Sequence, residues 1–98
     1  MIVVLAKAIA KDDDAKNEII EFSKDLIENS KSEEGNIDYN LYEDTSDNSL
    51  MFVEKWESLE ILQKHLKTDH FLKFGQNIGD LLSTDLVIDV FNSEKLEF

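Results

Sequence analysis

Among these 98 residues, one carboxylate, two histidines and a group of aromatic rings carry the chemistry. Over Leu50 to Trp56, the residues Leu50, Phe52, Glu54 and Trp56 alternate with Met51, Val53 and Lys55, the pattern of a strand. Glu54 thus shares a face with apolar and aromatic neighbours. A carboxyl in that setting must be paired or hold its proton above the usual range. His65 stands one position from Leu62 and Leu66, an apolar stripe at helical spacing, which puts it at the edge of a sheet-facing helix surface. Glu54 and His65 are therefore a candidate pair. Two roles fit it: a structural hydrogen bond, or a base that removes a proton from a phenol or enol. Trp56, Tyr39, Tyr42, Phe71 and Phe74 gather in the same region of the chain. Phe74 also reads simply as core. A cavity walled by rings with a few polar tips suits a flat, apolar, oxygen-bearing ligand.

Other chemistries lack their residues. His65 and His70 lie five apart across a helix break, not at the i, i+4 spacing of one helix face, and no third ligand is evident, so no metal site is expected. Cysteine is absent, which excludes a thiolate nucleophile, a disulfide, a Cys-ligated zinc site and an iron–sulfur cluster. Gly35, Gly75 and Gly79 are too dispersed for a phosphate loop. All ten bases are Lys, and the formal net charge is −12, which argues against nucleic acid as a partner. Thirteen acids and three Lys between Asp12 and Asp47 hold most of that charge. They alternate with apolar residues in a helical period, the pattern of a solvated helix face and hairpin tip rather than a docking patch for a basic partner. The apolar opening, Met1 to Ala10, is far shorter than the roughly 20 residues of a membrane span and lacks a signal-peptide pattern. A soluble cytoplasmic protein without a membrane partner is expected.

Six elements must position these residues. Ile2 to Ala10 is apolar on both faces, a strand covered on both sides. Asp12 to Asp14 supply the N-cap of a helix that carries Ile19, Phe22, Leu26 and Ile27 on one side. Asn36 to Tyr42 alternates as a strand, seven polar residues from Glu43 to Ser49 make a hairpin connection, and Leu50 to Trp56 returns. Ser58 caps a short helix with Leu59, Leu62 and Leu66; Thr68 caps another with Phe71, Phe74, Ile78 and Leu82. Asp85 to Phe91 closes as a strand. The order βαββαβ over residues 1–98 predicts one α+β domain with a ferredoxin-like antiparallel sheet and helices on one face. Helices on one face leave the other bare, although the first and last strands are apolar on both. A homodimer packed sheet to sheet is the expected solution.

Four segments together resemble the antibiotic biosynthesis monooxygenase family: Glu33-Glu34-Gly35-Asn36-Ile37-Asp38-Tyr39, Phe52-Val53-Glu54-Lys55-Trp56-Glu57-Ser58, His65-Leu66 and Thr68-Asp69-His70-Phe71. The resemblance implies a dimeric α/β barrel of two ferredoxin-like subunits, with a pocket between sheet and helices in each. It carries over Asn36, Trp56, His65, His70 and Phe71 as pocket residues. It also implies a monooxygenase that needs no cofactor and acts with O₂ on a quinol or polycyclic phenol. In that reading Glu54 and His65 form the catalytic base pair, Asn36 orients the substrate, and Tyr39, Trp56 and Phe71 bind it. Haem-degrading relatives carry an Asn on the first strand and an iron-ligating His on the last helix; here that strand has no Asn and Gly75 takes the position of the His. A non-catalytic small-molecule-binding dimer and an isomerase of a small carbonyl compound are the alternatives within the same resemblance.

Overall fold

A computed structural model describes all 98 residues. The elements are β1 (Ile2–Ala8), α1 (Asp13–Lys31), β2 (Asn36–Glu43), β3 (Leu50–Trp56), α2 (Leu59–His65), α3 (Asp69–Ile78) and β4 (Val87–Asn92), with a 3-10 turn at Gly79–Leu81. The strands form one antiparallel sheet in the order β2-β3-β1-β4. This is the expected α+β, ferredoxin-like plan with its helices on one face. Within one chain the sheet is open and does not close into a barrel. No helix is long and apolar enough to cross a membrane.

Side-chain caps set the helix starts. Asp12 accepts from the Ala15 N–H at 2.7 Å, and Ser58 accepts from that of Ile61 at 3.2 Å. Each satisfies a first-turn donor that has no intrahelical partner. Thr68 acts on two helices: its hydroxyl donates to the His65 carbonyl at 2.7 Å and accepts from the Phe71 N–H at 3.3 Å. It thereby closes α2, opens α3 and fixes the break between His65 and His70.

The core lies between the sheet and the helices. Ile2, Val4, Ala6 and Ala8 of β1, with Leu50, Phe52 and Trp56 of β3, pack beneath Ile19 and Leu26 of α1 and Phe74 and Ile78 of α3. Two expectations about the faces need correction. Phe22 was expected on the inner stripe of α1 but is 40% exposed. The buried positions run Ile19, Ser23, Leu26, Ser30, steps of four, three and four, so two small Ser residues take places on the inner stripe. The last strand starts at Val87 rather than Asp85 and is exposed along its whole length.

No helix covers the second face of the sheet. There Val3, Leu5, Met51 and Val53 are half-buried, while Tyr42, Val87 and Phe91 are exposed. Leu5 pairs with Val53, and Val3 with Phe91, so the apolar positions run together across three strands.

The turn before β2 depends on one glycine. Gly35 has φ +85°, and a Cβ there would lie 2.7 Å from Ile61 Cγ2. Its carbonyl also accepts from the Glu57 N–H at 2.9 Å, tying the turn to the end of β3. Gly35→Ala is expected to lower the unfolding free energy by more than about 1 kcal/mol, from left-handed backbone strain alone. Urea denaturation checks this, with a lower midpoint and an unchanged slope as the expected result.

Candidate active site

A cavity of about 130 Å³ opens between the sheet and helices α2 and α3. Val4, Ala6, Phe52 and Tyr39 line it from the sheet, Leu26, Leu62, Phe71 and Phe74 from the helices, Ile88 and Val90 from β4, and Leu86 from just before that strand. Glu54 is the only carboxyl on the wall. It sits on β3, an interior strand, level with Val4 of β1 and Tyr39 of β2, and is 5% exposed. The Trp56 indole N–H donates to Glu54 Oε1 at 3.1 Å. Burial raises the Glu54 pKa to about 7, although hydrogen bonds from Trp56 and Tyr39 favour the ionised form. Burial, followed by the charge of Glu54, pushes the Tyr39 phenol above its usual range, so it stays protonated as a donor.

A second polar cluster lies beside the cavity. His65 Nδ1 is 2.6 Å, and His70 Nε2 is 2.8 Å, from the same oxygen, Glu33 Oε2. A carboxylate oxygen only accepts, so both ring nitrogens donate to it. The His65 ring is fully buried, with Trp56, Phe71 and Tyr39 at centroid separations of 4.5, 5.1 and 5.5 Å. Its Nε2 is buried without a hydrogen-bond partner. Burial lowers the His65 pKa, and Glu33 opposes that shift. His65 is therefore a neutral ring near pH 7, with the proton on Nδ1.

The family model described as antibiotic biosynthesis monooxygenase matches residues 1–77, from β1 almost to the end of α3, and so takes in both polar groups. The chain belongs to the antibiotic biosynthesis monooxygenase family. It is 39% identical over 90 residues to the uncharacterized protein sll1783 of Synechocystis; the match covers 91% of this chain and 61% of that protein's length. It is 31% identical over 96 residues to YcnE of Bacillus subtilis, which carries a provisional monooxygenase name, covering 97% of this chain and 99% of YcnE. The structure of Rv0793 from Mycobacterium tuberculosis superimposes with a TM-score of 0.90 over 97% of this chain and 96% of that one. At 23% identity this likeness concerns the fold.

Against this family background, the seven residues singled out from sequence separate into two groups. Glu54, Tyr39 and Phe71 line the cavity. Trp56 lies beneath the wall, 0% exposed, and reaches it only through its hydrogen bond to Glu54. Asn36 is at the start of β2, where its Nδ2 donates to the Asp38 carbonyl at 3.2 Å across a β-bulge, away from the cavity. His65 and His70 are off the wall as well, and the structure contains no Glu54–His65 hydrogen bond. The partner of His65 is Glu33, a residue of the family-like segment to which sequence reasoning gave no role. Strand alternation correctly put Glu54 inward, but Glu33 sits in a turn, where no periodicity reports direction. Haem does not fit this cavity, because its wall presents Gly75 and neither histidine.

The raised Glu54 pKa has a consequence for stability. The folded protein holds this proton up to about pH 7, whereas a free carboxyl of this type loses it near 4.5. The folded state therefore binds the extra proton, and the stability it contributes is complete below about 4.5 and lost as pH rises to about 7. The loss is on the order of 3 kcal/mol. Glu54→Gln should match wild type in urea at pH 5 and exceed it at pH 8. Equal midpoints at both pH values would contradict the raised pKa.

Proposed function

We propose that the protein is an oxygenase acting on a small quinol without a resident cofactor, with Glu54 as its base. The observation that carries this reading is a single buried carboxyl, titrating near neutral pH, on the wall of an otherwise apolar cavity. A general base works best when its pKa lies near the operating pH. In its ionised form Glu54 takes the phenolic proton of the bound quinol, and the resulting anion is electron-rich enough to reduce O₂ directly. One oxygen atom becomes bonded to a ring carbon and the other leaves as water. The quinol supplies all the electrons, so a dihydroxynaphthalene and O₂ give a hydroxynaphthoquinone and water, with atoms and electrons in balance. The Trp56 indole holds the carboxyl by a hydrogen bond, Tyr39 stands opposite it on β2, and the apolar wall keeps water from the anion. His65, with its Nδ1 committed to Glu33, supports the ring packing and is not the base.

Cavity size narrows the substrate. A dry apolar cavity of about 150 Å³ accommodates a benzene ring, and this one measures about 130 Å³. That supports a one- or two-ring quinol, the second ring reaching toward β4, over the larger polycyclic phenols. Oxygen uptake with a reduced naphthoquinol tests the proposal. The rate above the enzyme-free background should rise as pH passes about 7, and Glu54→Gln should lose at least about 100-fold. No atom lies within 4 Å of a Cβ built at Gly75, so Gly75→Leu should fill the cavity and abolish binding with Glu54 intact. A ligand that raises the melting temperature with no uptake of O₂ would point instead to a binding protein.

We further propose that the working unit is a homodimer packed across the uncovered sheet face, where Val3, Leu5, Met51, Val53 and Phe91 adjoin. Contiguous apolar surface of this kind on a soluble chain marks an interface. Light scattering should give twice the chain mass, and Leu5→Asp should halve it; a monomeric wild type would end this proposal.

A further inference from the structure

Sequence spacing argued against a metal at His65 and His70 because no single helix face carries both and no third ligand is evident. The fold removes both objections. The break fixed by Thr68 turns the chain between α2 and α3, bringing the two rings to a centroid separation of 5.9 Å. The turn held by Gly35 delivers Glu33 to them from the other side. Glu33 Oε2, His65 Nδ1 and His70 Nε2 all lie within 4.8 Å of one another.

We propose that Glu33, His65 and His70 form a binding site for a divalent transition-metal ion. Two imidazoles and one carboxylate are a donor set used by zinc and by ferrous iron in sites that keep positions open. Ligand atoms about 2.0–2.1 Å from a tetrahedral ion lie about 3.3 Å apart. As the ion enters, the 2.6 and 2.8 Å separations from Glu33 Oε2 widen and the two ring nitrogens, within 4.8 Å, draw together, while each ring's proton moves to its other nitrogen, Nε2 of His65 and Nδ1 of His70. His65 is locked by its aromatic neighbours, so Glu33, on its turn, and His70, in the first turn of α3, make the adjustment. An access route is present. Glu33 and His70 are each less than one-fifth exposed but not sealed, and His70 lines a groove between α1 and α3 with Glu21 and Asp25. Glu21 is paired with Lys24 and Lys73 lines the same groove, so Asp25 is the acid left to face an entering cation. A bound ion would clamp the entry to β2 against the junction of α2 and α3. This inference uses none of the cavity chemistry, since no member of the cluster lines the cavity.

The test uses the full chain without a histidine tag. Calorimetric titration with Zn²⁺, and with Fe²⁺ under anaerobic conditions, should give one saturable site per chain, and the tighter of the two identifies the preferred ion. Co²⁺ substitution should produce visible ligand-field absorption. Glu33→Gln and His70→Ala should each weaken binding at least tenfold and remove the cobalt bands. Their circular dichroism should match wild type, because neither residue belongs to the buried core. Absence of saturable binding by wild type would overturn the proposal. So would equal binding by both variants, which would assign the ions to scattered surface acids.

Discussion

Removing a carboxyl group from water is among the costliest steps a small fold can take, and the arrangement around Glu54 follows from taking it. The group is on the helix-facing side of an interior strand, so its backbone is committed to two neighbours and its side chain opens only onto the apolar cavity. Its compensation is local: the indole N–H of Trp56, two residues along the same strand, and the phenol of Tyr39, directly across on β2. These two rings are large, and accommodating them on the helix-facing side fixes what the rest of the core can be. Tyr39 and Trp56 meet edge to face at 6.1 Å, and the His65 ring lies against Trp56 at 4.5 Å. One ionisable group thus dictates an aromatic layer, and the cavity is the space left between that layer and the helices.

Much of the fold was legible in the residue order because strands and caps are local signals. Alternation over Leu50 to Trp56 assigned each side chain to its observed face, and Asp12, Ser58 and Thr68 were readable as caps before any contact was known. The errors came where the signal is not local. Phe22 is as apolar as Ile19 and Leu26, and only the packing of α1 on the sheet decides that Ser23 is buried in its place. Glu54 was rightly read as inward, but its expected partner His65 is held by Glu33 instead, because the contact between α2 and the turn before β2 is a tertiary fact. Asn36 had the look of an orienting donor but stands at a bulge, where the register shift turns its amide onto its own strand.

The two histidines illustrate the same limit from the other direction. Five residues is the wrong interval for a single helix, and the spacing rule was sound on its premise. The break at Thr68 was legible too; what spacing could not report is its direction, since the one hydroxyl that closes α2 and opens α3 turns the chain so that the two rings converge. Spacing rules for ligand pairs thus hold within an element and lose force across a capped break.

The exposure of β4 bears on kinetics. Its inner residues, Ile88 and Val90, are about half exposed and form one side of the cavity. Molecules passing in and out therefore cross an edge strand and leave the packed rings of β2 and β3 in place. Exchange of the cavity contents and opening of the core are separate events with separate barriers. An edge strand, paired on one side only, can part from the cavity while β1 and β3, paired on both sides, stay closed.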